Sequence, residues 1–255
     1  MFKRAALTLA ILGMVASASA QPQRTLLVRE RSLPAARSFE IGTIARYAEE
    51  EVRLRGMNVG TADVYGFEPY VRYGLADNLS VHLAAPLLRV SSPWTGSHTG
   101  IGDLRLGADL LVFEDIFRYP WIIPYADVTL PTGDEDKGLG LGETGLFLGI
   151  AVGTRMYDVI GLSLDGRRDM VSGMENISSI GGAITWDLND EFSLLAEGRI
   201  YERRQGQSSP SKQFLAGMVY WPTPNWMVGA YGGQHRNGST DTVGQVKVSY
   251  LIPFP

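Results

Sequence analysis

From residue 37 onward apolar and polar residues alternate with a period of two. Leu104, Leu106, Ala108, Leu110 and Val112 fall on one face, and Asp103, Arg105, Gly107 and Asp109 on the other. That period sends successive side chains to opposite sides of a strand. Wound as a helix, the same charges would scatter among the leucines. The pattern returns in Ile160, Leu162 and Leu164 against Ser163, Asp165 and Arg167. It returns again in Phe192, Leu194, Ala196 and Ile200 against Ser193, Glu197 and Arg199, and in Val246, Val248, Tyr250 and Ile252 against Gln245, Lys247 and Ser249. Twelve strands are predicted, near 37–49, 62–74, 79–90, 101–113, 120–131, 143–154, 159–169, 177–187, 192–203, 212–221, 226–236 and 242–252.

The connections alternate too. Those around 75–78, 114–119, 155–158, 188–190 and 222–225 are short; those at 50–61, 91–100, 132–142, 170–176, 204–211 and 237–241 are longer and rich in Gly, Ser, Pro and charge. Short turns on one rim and long loops on the other mark a transmembrane barrel with periplasmic turns and extracellular loops. After residue 20 no apolar run approaches the roughly 20 residues of a membrane helix, so only a closed barrel could cross. The expected fold is all-β, an antiparallel transmembrane β-barrel of about 12 strands over 37–255. Tyr73, Trp121, Tyr157, Trp186, Phe192, Tyr220, Trp221, Trp226, Tyr250 and Phe254 gather beside the short turns, as an interfacial girdle would.

The first residues follow another logic. Lys3 and Arg4 precede an apolar run from Ala5 to Val15, and Ala18-Ser19-Ala20 offers a cleavage site, so 1–20 reads as a secretory signal peptide. Its removal takes the formal charge from −4 to about −6. Residues 21–36 lack periodicity and are expected to be a periplasmic N-terminal tail; a segment tucked into the lumen is the alternative. The acidic balance excludes a nucleic-acid partner, and the absence of Cys excludes disulfides, thiolate metal sites and a cysteine nucleophile.

In a membrane barrel the polar face lines the lumen. The expected lining is Glu40, Arg46, Glu68, Arg72, His82, Asp103, Arg105, Asp109, Asp127, Asp165, Arg167, Asp169, Asp187, Glu197, Arg199 and Lys247; both signs occur, which suits an internal paired network. Ser80 and His82 share a strand face, as a nucleophile and base would, but they sit on the periplasmic side, away from the outer leaflet. No catalytic or metal residue is assigned. Asp134-Glu135-Asp136 lacks the ligand spacing of a calcium loop, and Gly138, Gly140 and Gly142 lack the Lys-Ser/Thr of a phosphate loop. No cofactor is expected.

Three stretches carry a family resemblance: Gly100-Ile101-Gly102-Asp103-Leu104, Leu130-Pro131-Thr132-Gly133-Asp134, and the glycine-rich run from Gly138 to Gly145. In this order they resemble a family of outer-membrane transporters linked to the phenol meta-cleavage degradation pathway. The resemblance implies a cell outer-membrane location and passage of small, apolar or aromatic molecules. The expected partners are a small-molecule solute, outer-membrane lipid and lipopolysaccharide, and the barrel-assembly machinery. A non-conducting envelope barrel, an outer-membrane lipid-modifying enzyme and a soluble periplasmic β-protein are the alternatives.

Overall fold

A computed structural model describes residues 22–54, 57–92, 96–114, 120–203, 210–236 and 240–253; the signal peptide lies outside the described residues. The strands are β1 (Phe39–Leu54), β2 (Met57–Ala76), β3 (Leu79–Ala84), β4 (Leu87–Ser92), β5 (Gly96–Ile101), β6 (Leu104–Leu110), β7 (Phe113–Glu114) and β8 (Trp121–Leu130). They continue with β9 (Gly145–Met156), β10 (Ile160–Val171), β11 (Ile177–Asp187), β12 (Phe192–Tyr201), β13 (Lys212–Thr223), β14 (Trp226–Arg236) and β15 (Thr240–Ile252). Two of the twelve expected crossings are broken: β3 and β4 form one, and β5, β6 and β7 another. Neighbours pair antiparallel around the ring, and β1 closes it by pairing with both β2 and β15. The chain forms a closed antiparallel β-barrel.

Strand parity follows the sequence pattern. On β8, Trp121, Ile123, Tyr125, Asp127 and Thr129 point inward and are buried, while Ile122, Pro124, Ala126, Val128 and Leu130 face outward. Leu148, Ile150, Leu164, Ile180 and Phe214 are exposed on the outer wall, where hydrocarbon covers them. Inward aromatic rings lie over glycines directly across the ladder. Trp121 covers Gly153 and Tyr125 covers Gly149, each at a distance that leaves no room for a Cβ. This pairing explains much of the glycine inside the strands.

The aromatic girdle is real but smaller than the sequence suggested. Phe39 packs on Tyr73, Phe192 on Tyr220, and Trp226 on Tyr250, with ring centroids 4.5, 4.7 and 4.8 Å apart. Trp121 and Trp221 instead point inward and are buried. Parity decides this: each is one residue out of step with its outward neighbours, so closeness to a turn does not make it interfacial.

One stretch of wall lacks a ladder. Among the described residues β5 pairs only with β4, because β8 ends at Leu130 opposite Leu104, below the level of β5. The connection 131–144 lies along this free edge. Asp103 holds it with both carboxylate oxygens: Oδ1 accepts from the Gly133 amide at 2.9 Å and Oδ2 from the Leu141 amide at 2.7 Å. Thr132 Oγ1 donates to the Gly102 carbonyl at 2.8 Å and accepts from the Leu104 amide at 2.9 Å. Leu139 is buried and reaches the space a Cβ on Gly100 would take. Asp103, expected in the lumen, is therefore a clamp on a loop; the strand breaks at Gly102, so its alternation does not carry through. Within the loop Gly138 and Gly142 have φ of 70° and 71°, which only glycine adopts without strain.

Asp103→Ala removes two charge-assisted bonds worth about 1.5–3 kcal/mol each. The barrel should still fold and shift on heating in a gel, while trypsin cuts after Lys137 faster than in the parent protein. Equal cutting rates would refute the clamp.

Candidate functional site

The strands enclose a lumen, and its lower half is filled by the chain's own N-terminal segment. The expected tail over 21–36 is drawn inside over its described part: Pro22, Thr25 and Val28 are fully buried, and Gln23, Glu30, Ser32 and Leu33 nearly so. Its few apolar residues find partners that are remote in sequence. Leu33 joins Trp121, Ile123, Tyr125 and Ala151. Leu26 meets Leu195, Val219, Trp221, Met227 and Tyr231, and with Leu27 it also meets Ala48, Leu215 and Val243. Val28 lies against Gly181, where a Cβ would sit 3.0 Å away.

Charge locks this plug. The Glu197 carboxylate accepts from three successive plug amides, Leu26 at 2.9 Å, Leu27 at 2.7 Å and Val28 at 3.2 Å. Arg199 donates to the Leu27 carbonyl at 2.6 Å, to Ser179 Oγ at 2.9 Å and to Asp165. Lys247 donates to the Gln23 carbonyl, and Tyr231 to that of Arg24 at 2.7 Å. In return the plug supplies three arginines. Arg24 pairs with Asp187 at 2.6 Å and Arg31 with Glu114 at 2.5 Å. Arg29 bridges Asp109 at 3.2 Å and Asp127 at 2.9 Å, with its guanidinium 4.8 Å from the centre of the Tyr125 ring. Burial alone would lower the Arg29 pKa, but the carboxylates of Asp109 and Asp127 outweigh it and hold the group above its ordinary value.

Most of the expected lumen residues meet in this network. Glu40 binds Arg72 at 2.9 Å and Tyr70 at 2.8 Å, and Arg72 reaches on to Asp109 at 3.4 Å. Asp165 also accepts from Tyr125 at 2.8 Å. Asp187 takes a second arginine, Arg155, at 2.5 Å. His82 lies between two carboxylates, Nε2 2.9 Å from Asp127 and Nδ1 3.6 Å from Asp109. Its ring therefore serves the network rather than Ser80, whose buried hydroxyl has no partner. Arg167 pairs with Asp169 at 2.6 Å, apart from the plug. Arg105 reaches Glu68 at 3.4 Å across the upper lumen, and Arg46 lines the same space with no ion-pair partner among the described residues.

Above the plug is a cavity of about 250 Å³. Leu26 and Leu27 from the plug, with Ile44, Leu88, Leu215 and Val243 from the wall, give it an apolar lining; Arg46, Glu68, Arg105, Gln213 and Gln245 add polar groups. Pro86 and Leu88 line it on the side where they approach Gly102 and the Leu139 carbonyl. The cavity thus abuts the part of the wall closed by the 131–144 connection. Sequence reasoning missed Arg24, Arg29, Arg31 and the two leucines, because a plug needs no periodicity. The one available signal was the excess of carboxylates over cations in the expected lining, which three nearby arginines can offset.

Arg29→Ala should lower barrel stability by about 3–5 kcal/mol, because it strands buried carboxylates. It should also raise single-channel conductance as the plug loosens. A stable variant with unchanged conductance would show that Arg29 does not hold the plug.

Solved structures similar to this chain include outer-membrane channels and porins. The COG4313 outer membrane channel from Pseudomonas putida F1 superposes with a TM-score of 0.71 at 16% identity, covering 88% of this chain and 97% of that one. The NanC porin gives 0.61 at 10% identity, over 82% of this chain and 98% of the porin. The KdgM porin gives 0.57 at 11%, over 84% and 99%. No functionally curated protein matches. The pattern of the family described as "MetA-pathway of phenol degradation" matches residues 37–251, the whole barrel without the plug.

Proposed function

The chain belongs to the phenol-degradation MetA-pathway family, and from this premise we propose that it passes small apolar or aromatic molecules across the outer membrane. The observation that carries the proposal is the apolar-floored cavity directly above a locked plug. Its 250 Å³ exceed the roughly 150 Å³ of an engineered cavity that accepts benzene, so a substituted single ring fits. Porins share the barrel plan, and the polar groups above the cavity floor can orient a hydroxyl or carbonyl substituent.

The plug blocks the straight route to the periplasm with buried ion pairs, which an apolar solute has no means to displace. The cheaper exit is sideways. Parting the 131–144 connection from β5 breaks few backbone hydrogen bonds, because no ladder joins them. It would open the cavity onto hydrocarbon, where an apolar molecule is stable. A polar molecule gains nothing from that exit, so the route itself selects for apolar cargo.

The chain has no native cysteine, so an engineered pair reports cleanly. With Gly100→Cys and Leu139→Cys joined as a disulfide, uptake of radiolabelled toluene by cells lacking other aromatic channels should stop, and a reductant should restore it. Uptake indifferent to the crosslink would exclude the lateral exit. Uptake equal to that of cells without the protein, in both redox states, would leave a non-conducting envelope barrel as the function.

A further inference from the structure

The outer wall carries a groove that the transport route does not use. It has a volume of 640 Å³ and runs across β10 to β14. Gly182 and Gly198, paired across β11 and β12, form its floor. Its walls are Leu164, Ile180, Ile200 and Phe214, all outward-facing and 48–61% exposed. At the upper end Lys212 and Arg236 stand opposite each other on β13 and β14.

Two observations point to an occupant. Like charges directly across a ladder repel, yet among the described residues neither Lys212 nor Arg236 has an ion-pair or hydrogen-bond partner. An anion placed between them removes the repulsion. Their height fits as well. Lys212 pairs with Ile200, eight residues up β12 from the girdle pair Phe192–Tyr220. At about 3.3 Å per residue and a tilt near 40°, that is roughly 20 Å above the periplasmic girdle. An apolar band of about 25 Å then puts the two backbones about 5 Å below its outer edge, from which long cationic side chains snorkel to the headgroups, with the groove among the acyl chains beneath. Lining atoms with nothing opposite them forgo dispersion contacts, and a glycine floor admits a methylene chain closely.

We propose that this groove is a docking site for a phosphorylated glycolipid of the outer leaflet. One acyl chain of lipid A lies over Gly182 and Gly198, and a lipid A phosphate bridges Lys212 and Arg236 through charge-assisted hydrogen bonds. The site lies on the outer wall and does not depend on the lumen transporting anything.

The test is native mass spectrometry of the purified full barrel in dodecyl maltoside, titrated with diphosphoryl lipid A, with the same lipid stripped of its phosphates, and with phosphatidylglycerol. The parent protein should bind diphosphoryl lipid A about tenfold more tightly than either other lipid. Lys212→Gln with Arg236→Gln should remove that preference, and Gly198→Leu should weaken lipid A without restoring binding of the stripped form. Heat-dependent gel migration confirms that each variant is folded. Equal binding of phosphorylated and stripped lipid A by the parent protein overturns the proposal without any variant. Equal affinity for phosphatidylglycerol overturns the glycolipid assignment, and a dimer that lipid A does not dissociate assigns the groove to a second copy of the chain.

Discussion

Hydrocarbon offers no hydrogen-bond partner to a peptide group, and the rest of this structure follows from that constraint. Every strand must be paired on both sides or otherwise satisfied, so the sheet closes on itself through β1, β2 and β15. Among the described residues the wall departs from the rule beside β5, and there side chains replace the ladder. Asp103 and Thr132 take up the amides of Gly133, Leu141 and Leu104 and the carbonyl of Gly102. The residues shared by the GIGDL and LPTGD stretches are thus joint parts of one piece of wall.

Closing the barrel creates a second problem inside it. Outward residues must be apolar, so charge gathers on the inner face, and buried charges are costly unless paired. Ladders already bring some partners together, as with Glu40 and Arg72. Arg72, His82 and Arg155 offset Asp109, Asp127 and Asp187 only in part, and the arginines of the N-terminal segment complete the pairing there and at Glu114. Glu197 adds a reciprocal arrangement in which a wall carboxylate receives plug amides. The same interactions that neutralise the lumen shut it, which makes the wall the natural place for an apolar solute to pass.

The two faces of the barrel divide the work. Inside, a polar network fixes one arrangement and leaves a small apolar chamber above it. Outside, glycines and exposed aliphatic residues meet the lipid, and the cations Lys212 and Arg236 stand at the upper end of the apolar wall. The seam lies beside β5 and the groove across β10 to β14, so the proposed exit of a solute and the proposed lipid site use different stretches of the outer wall.

Much of this was legible in the chain itself. A period of two is a local property, so strand number, parity, the outward apolar face and the inward charges at Glu40, Arg72, Asp109, Asp127, Asp165, Glu197 and Arg199 could be read directly, as could the asymmetry of loops and turns. Three things could not. Trp121 and Trp221 were misplaced because nearness to a turn is not parity. Asp103 was misplaced because the strand breaks at Gly102, a break that arises only where β8 ends. The segment before β1 carried no periodic signal, and its contacts are with residues as distant as Glu197 and Lys247. Short-range alternation determined that the chain is a barrel with a charged interior; long-range pairing of charges, which no local pattern encodes, decided that the interior is plugged.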